Sequence, residues 1–285
     1  MNYLLFLKAF QEKYANTADK GALFNYLREE LQYLILGFLF TKTSYPIYFM
    51  GGTKLRLSYK INRFSEDIDF ALDKPDPDFP SGVFFKDIES AFSEKITGFK
   101  LHAKSNARRN VVKIMLAFAQ ILYDLKLSPL PDETIKIKIE LDINPPAHAQ
   151  YEQKQYRSLL SDYRVNTHDL ATGFAGKLGA VLEREYQKGR DYYDLQWYLQ
   201  QTPPVLINLD YFNANSVQLQ RSTFKTSAEL LKAVTKKVEA LDLNLLKKDL
   251  ERFVLMDPGS FEQWLQAYPA ETAALLEAYL KRHEG

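Results

Sequence analysis

Gly51-Gly-Thr-Lys-Leu-Arg56, followed by Arg63-Phe-Ser-Glu-Asp-Ile-Asp-Phe70, is the stretch on which the fold turns. Just before it, Pro46-Ile-Tyr-Phe-Met50 reads as a short strand, and Lys54 to Ile61 reads as a helix. Phe64 to Leu72 alternates with period two, so Ile68 and Phe70 share one face while Asp67 and Asp69 share the other. Carboxylates at i and i+2 of a strand sit about 6.6 Å apart at the backbone, which lets their oxygens converge on a divalent ion. Glycines ahead of a helix let the backbone approach a phosphate, and the free N–H groups of the first turn attract it. Strand, glycine turn, helix and acidic strand, in that order, place a phosphate cradle beside an oxygen-lined metal site. Each part alone says little, because an exposed Asp pair is ordinarily just solvated and a Gly-Gly pair is ordinarily just a turn.

Working outward, Ile135, Ile137, Ile139, Leu141 and Ile143 point one way and Lys136, Lys138, Glu140 and Asp142 the other, so this segment reads as a half-buried strand ended by Asn144-Pro-Pro146. Glu140 or Asp142 would complete a carboxylate cluster if this strand neighbours the Asp67–Asp69 strand. Otherwise the charges simply face water. Residues 2–15 and 22–40 carry helical spacing, as do 83–97. Phe99 to Ala103 and Val111 to Tyr123 resemble strands joined by the basic stretch Lys104 to Asn110. From about residue 168 the pattern is helical, broken at Pro203-Pro204 and Asp257-Pro-Gly259. The simplest division is an α/β part over 1–150 and a helical part over 151–285.

The 285 residues carry 37 basic and 36 acidic side chains, a formal charge of +1, which argues against a protein that coats DNA through many phosphate contacts. With no cysteine and only His102, His148, His168 and His283, thiolate chemistry is excluded and a histidine-built zinc site is disfavoured. Any metal would be held by carboxylates, which favour Mg²⁺, Mn²⁺ or Ca²⁺. The apolar run Leu34 to Phe40 is too short to span a bilayer, and Lys8 interrupts an apolar start with no cleavage site behind it, so a soluble cytoplasmic protein is expected.

In the helical part, Lys177 falls between Leu170, Phe174 and Val181 on an apolar stripe. A lysine there either snorkels or meets an anion, a phosphate or a carboxylate. Gly173, Gly176 and Gly179 weaken that helix and suggest close approach by backbone or ligand. Arg190, Asp191 and Asp194 follow Gly189, where a helix would begin and where acidic residues also suit the helix dipole.

Taken together, Gly51-Gly-Thr-Lys-Leu-Arg56, Arg63-Phe-Ser-Glu-Asp-Ile-Asp-Phe70, Lys138-Ile-Glu-Leu-Asp-Ile-Asn-Pro-Pro146, and Lys177 with Arg190-Asp-Tyr-Tyr-Asp-Leu195 resemble the AbiEii/AbiGii-type nucleotidyltransferases, toxins of bacterial toxin–antitoxin and abortive-infection systems. The resemblance implies an α+β fold: a polymerase β-like nucleotidyltransferase core, a mixed sheet flanked by helices, followed by a C-terminal helical domain. It implies Mg²⁺ (or Mn²⁺) on Asp67 and Asp69, with Glu140 favoured over Asp142 as third carboxylate. It implies an NTP contacted through Gly51, Gly52, Thr53, Arg56 and Ser65, with Lys177 on the triphosphate and Asp191 positioning Lys177 or the acceptor. The implied reaction is in-line attack of an acceptor hydroxyl on the α-phosphate with release of pyrophosphate, two metals bridging the attacking and leaving oxygens. An RNA acceptor such as a tRNA end and a cognate antitoxin would be the partners, with Lys104, Arg108, Arg109 and Lys113 as candidate RNA contacts. The competing readings are a non-catalytic module that holds NTP or a partner, and an enzyme that nucleotidylates a protein hydroxyl.

Overall fold

Alternation and capping together explain the elements of the computed structural model, which describes residues 2–108 and 110–283. They fall into two compact units, the first comprising residues to Lys60, Phe64–Pro145 and Glu152–Thr167, the second Ile61–Arg63, Pro146–Tyr151 and His168 onward.

The first unit opens with helices α1 (Tyr3–Lys13) and α2 (Lys20–Lys42), capped by the side chains of Asn2 and Asp19. Next come β1 (Ile47–Met50), α3 (Gly51–Tyr59), β2 (Ile68–Leu72), α4 (Ser81–Ala91), the single turn α5 (Glu94–Thr97), β3 (Lys100–Arg108), β4 (Val111–Ala119), α6 (Ile121–Asp124), β5 (Ile135–Asp142), β6 (Tyr151–Arg157) and β7 (Asp162–His168). The strands form one mixed sheet in the order β3-β4-β5-β2-β1-β7-β6. β2 runs parallel to β5 and β1 parallel to β7, while β1–β2, β3–β4 and β4–β5 are antiparallel. Ile137, Ile139, Phe70, Ile114 and Leu116 pack in one core with Leu27, Leu31 and Ile35 of α2. The apolar run Leu34–Phe40 is therefore core helix, and among the described residues no helix is long and apolar enough to cross a membrane.

The structure differs from the sequence expectation in several places, among them the strand expected over Val111–Tyr123, which ends at Ala119 and gives way to the single turn α6, and the strand expected over Phe64–Leu72, which begins only at Ile68. The basic stretch is not a linker, because β3 continues through Arg108 and pairs with β4 in a hairpin. The helix expected over 83–97 breaks after Ala91 into α4 and α5. Two strands, β6 and β7, occupy residues 151–168, where the helical part was expected to begin. β6 is largely polar and lies at the sheet edge, so only Tyr156 among its side chains is buried, and such a strand carries little apolar signal.

The second unit holds α7 (Leu170–Glu183), α8 (Gly189–Leu199), α9 (Leu209–Gln218), α10 (Ser227–Glu239), α11 (Leu243–Leu250) and α12 (Pro258–His283). Asp257-Pro-Gly259 works as a helix start: the Asp257 carboxylate accepts from the Ser260 N–H at 3.0 Å, and Pro258 sits where its missing N–H costs nothing. The segment Ile61–Arg63 belongs to this unit, with Arg63 bridged antiparallel to Val254 and the Leu255 N–H donating to the Asn62 carbonyl at 3.1 Å.

Candidate functional site

In the first unit the chain leaves β1 at Met50 and enters α3 at Gly51, whose φ of 78° is the left-handed region that glycine tolerates. A Cβ there would overlap the carboxylate of Asp69, so that carboxylate lies directly against the helix entry. The N-cap residue, Met50, makes no side-chain hydrogen bond to the start of α3. Thr53 is fully buried and its hydroxyl donates to the Asp67 carbonyl, tying α3 to the approach of β2. Gly52 is half-buried in the same turn.

Register then gathers the acids. Asp69 pairs directly with Glu140 across β2 and β5, and Glu140 pairs with Lys113 across β4 and β5. Paired residues on neighbouring strands project to the same side of the sheet. Lys138 reaches Asp67 Oδ2 at 2.9 Å and Glu140 Oε1 at 3.4 Å, and Lys113 reaches Glu140 Oε1 at 2.8 Å. Burial opposes charge on both groups, yet the lysines hold the Glu140 carboxyl below the usual carboxylate range, and Asp67 and Glu140 hold the Lys138 ammonium above the usual lysine value. Asp142 stands opposite Ala71 and Val111, and its carboxylate accepts from the Asn144 N–H at 2.9 Å, so it shapes the turn out of β5. Burial raises its pKa.

Among the described residues no group of three His, Asp or Glu side chains is assembled as a metal cluster. The donor set nonetheless suits a hard divalent ion, because Asp67 and Glu140 already converge on one cation, the Lys138 ammonium, and Asp69 is Glu140's strand partner.

Other expected residues lie elsewhere. Arg56 is buried, its Nε donating to Glu29 at 2.7 Å and its guanidinium 4.9 Å over the Phe64 ring. The Ser65 carbonyl accepts from Gln32 at 2.9 Å, and Ser65 is half-buried. Lys104 is exposed on β3, at the sheet edge, opposite Met115. The backbone of Arg108 ends β3 opposite Val111, and Arg109 lies outside the described residues. Lys113 is not part of a basic arm, since its ammonium is taken up by Glu140.

In the second unit Lys177 is seated on α7 with a side chain 13 % exposed. Its ammonium meets Asp191 Oδ1 at 2.7 Å and Asp194 Oδ2 at 2.8 Å, so the anion that its place on an apolar stripe demanded is supplied by α8. Burial works against the ammonium, but the two carboxylates outweigh it and raise its pKa. Asp191 is held below the usual carboxylate range by Lys177 and Arg184 against the opposing effect of burial. Arg63 lies against Asp194 in a two-pronged pair, Nε to Oδ1 and Nη2 to Oδ2, both at 2.6 Å. The glycines of α7 have a plainer cause than a ligand: Gly176 and Gly179 face Tyr211 and Asn215 of α9 at ordinary contact distance.

Sequence reasoning quoted Arg63, Lys138 and Asp194 without giving them roles. Asp191 and Asp194 at i and i+3 on one helix was the available signal for a shared lysine. Nothing in sequence spacing announced Arg63 as the partner of Asp194.

The sequence profile of the family "Nucleotidyl transferase AbiEii toxin, Type IV TA system" matches residues 38–274. No curated protein matches the chain. Among solved structures it is similar in fold to JHP933 from Helicobacter pylori, with a TM-score of 0.56 and 19% identity over 91% of this chain and 93% of that one. A second H. pylori structure, of a candidate nucleotidyltransferase, gives a TM-score of 0.56 and 18% identity over 91% of this chain and 96% of that one.

Proposed function

The chain belongs to the AbiEii nucleotidyl transferase toxin family of type IV toxin–antitoxin systems, and from that premise we propose that it transfers a nucleoside monophosphate from an NTP to an acceptor hydroxyl. The observation that carries this reading is the strand register that sets Asp69 beside Glu140, with Asp67 and Glu140 sharing one cation, next to the glycine entry of α3. We read the first unit as a polymerase β-like core and an RNA end, such as that of a tRNA, as the acceptor, with a cognate antitoxin as protein partner.

In this mechanism the N–H groups at the start of α3 receive triphosphate oxygens, and Gly51 lets the backbone come close. Mg²⁺ or Mn²⁺ held by Asp67, Asp69 and Glu140 would supply Lewis-acid neutralisation of the phosphate charge. A carboxylate of the Asp67–Asp69 pair takes the proton of the acceptor hydroxyl as its oxygen bonds to the α-phosphorus, and the bond to the β-phosphate oxygen breaks with release of pyrophosphate. In the second unit Lys177, its ammonium held by Asp191 and Asp194, keeps the role expected of it, a cation for phosphate oxygens.

The test incubates the purified chain with each α-labelled NTP, RNA and Mg²⁺. Label should enter RNA, and Asp69→Ala should lower the rate by about a hundredfold or more. No label in RNA or protein, or equal labelling by the variant, overturns the proposal, and label found in protein instead of RNA moves the acceptor to a protein hydroxyl. Lys138 is the observation favouring a non-catalytic module, since its ammonium already neutralises Asp67 and Glu140. That reading predicts NTP binding without pyrophosphate release.

A further inference from the structure

Where α7 ends, α8 begins and α10 ends, the second unit encloses a cavity of about 200 Å³ with Arg184, Lys188 and Lys237 on its walls. The acids there are Asp191 and Glu185; Asp191 Oδ1 meets Lys177 at 2.7 Å, while its Oδ2 lies 2.7 Å from the Arg184 Nε without accepting a hydrogen bond. Lys188 differs from its neighbours: among the described residues no hydrogen bond or ion pair is made by its ammonium, although the side chain is half-buried. Burial, and then the nearby Arg190 cation, push its pKa below the usual lysine value, with Asp191 pulling the other way. Lys237 has an ordinary role as well, since a lysine in the last turn of α10 suits the helix dipole. Lys188 has no comparable role at the N-terminal end of α8, where a cation is unfavourable.

We propose that this cavity is a binding site for a phosphate group, with Lys188 as its principal contact, Lys237 at its rim and the Arg184 guanidinium on its wall. Size supports a single group: pockets that enclose a small molecule measure roughly 300–1,000 Å³, and about 200 Å³ is less than a whole nucleotide needs. The chemistry is the same whether the phosphate is the diphosphate end of a nucleotide or a backbone phosphate of an acceptor strand. The proposal goes beyond nucleotidyl transfer and does not depend on it, because no residue of the first unit takes part.

The experiment measures binding to the full-length chain by titration calorimetry at low ionic strength in EDTA, so that no turnover contributes. One arm titrates inorganic pyrophosphate and the other a short oligoribonucleotide lacking terminal phosphates. Lys188→Gln is expected to weaken at least one ligand by about tenfold, as loss of a charged hydrogen bond would. Lys237→Gln should weaken it less, and Lys232→Gln, on α10 outside the cavity, should leave it unchanged. An effect confined to pyrophosphate assigns the cavity to a nucleotide's phosphates, and one confined to the oligonucleotide assigns it to the acceptor strand. If wild type binds neither probe, or if Lys188→Gln and Lys237→Gln bind both as wild type does, the proposal fails. Lys237 is exposed, so its variant keeps the test decisive should Lys188→Gln not fold. Asp69→Ala should retain the binding, which separates failure of this site from failure of the transferase reading.

Discussion

Replacing Asp194 with alanine should be among the most damaging single changes in the second unit. Its side chain is 0 % exposed, and it receives both prongs of Arg63 at 2.6 Å as well as the Lys177 ammonium at 2.8 Å. Lys177 keeps Asp191 in the variant, so the larger loss falls on Arg63, whose side chain is 2 % exposed and whose guanidinium depends on Asp194 to outweigh the cost of burial. Removing one partner of a buried pair costs about 3–5 kcal/mol, because the other charge is stranded out of water. The matched control is Asp162→Ala, which breaks the Arg157 pair where the side chains are 82% and 48% exposed, and pairs of that kind contribute about 0–1 kcal/mol. Urea unfolding, with hydrogen exchange of the α7 and α8 amides as the local probe, measures both. The reasoning also predicts that Arg63→Met with Asp194→Leu is more stable than Asp194→Ala, since an apolar pair strands no charge. Equal losses for Asp194→Ala and Asp162→Ala, both below about 1 kcal/mol, would refute it.

Three further outcomes follow from the same geometry. The folded-state pKa of Asp191 is depressed, so its stabilisation is present above its unfolded value, near pH 4, and is lost as pH falls through the lower folded value. That of Lys177 is raised, so its stabilisation is present below about pH 10 and is lost only as pH rises through a still higher value. The Tm difference between wild type and Asp191→Asn should therefore stay flat across neutral pH and shrink only below about pH 4, and a shrinkage near pH 6 would show the pairing to be wrong. Lys138→Met removes the cation that Asp67 and Glu140 share, and should tighten Mn²⁺ binding by about tenfold, an effect of ~1.4 kcal/mol; unchanged or weaker binding by electron paramagnetic resonance counts against a carboxylate site there. Gly51→Ala combines a left-handed backbone with a Cβ aimed at the Asp69 carboxylate, so it should cost at least about 1–2 kcal/mol and sharply reduce any transfer activity, whereas a variant with wild-type melting would contradict the close approach.

What could be read from the sequence was local. Ile135 to Ile143 alternates strictly enough to give a strand and its faces and appears as β5, whereas of Phe64 to Leu72 only Ile68–Leu72 is strand, β2, which leaves Asp67 just ahead of it. The pairing of Asp69 with Glu140 needed one more fact, the neighbourhood of two strands separated by a hairpin, which no single strand's pattern carries. The same limit hid Arg63, whose partner Asp194 is 131 residues away, although a lysine on an apolar stripe made a carboxylate or phosphate partner for Lys177 foreseeable. The third carboxylate remained open between Glu140 and Asp142 for that reason too, because alternation puts both on one face and only register and the turn at Asn144 distinguish them.

Both clusters also change what a formal charge of +1 means. It is the remainder of local pairings in which acids that suit a ligand are already bound to internal cations, Lys138 on Asp67 and Glu140, Lys177 on Asp191 and Asp194. A divalent ion entering the first cluster would have to exchange with the Lys138 ammonium on Asp67 and Glu140, and with Lys113 on Glu140. Lys188 is the contrasting case: among the described residues no carboxylate forms an ion pair with its ammonium, so a phosphate arriving there would displace no partner, although Asp191 and Glu185 on the same wall oppose it.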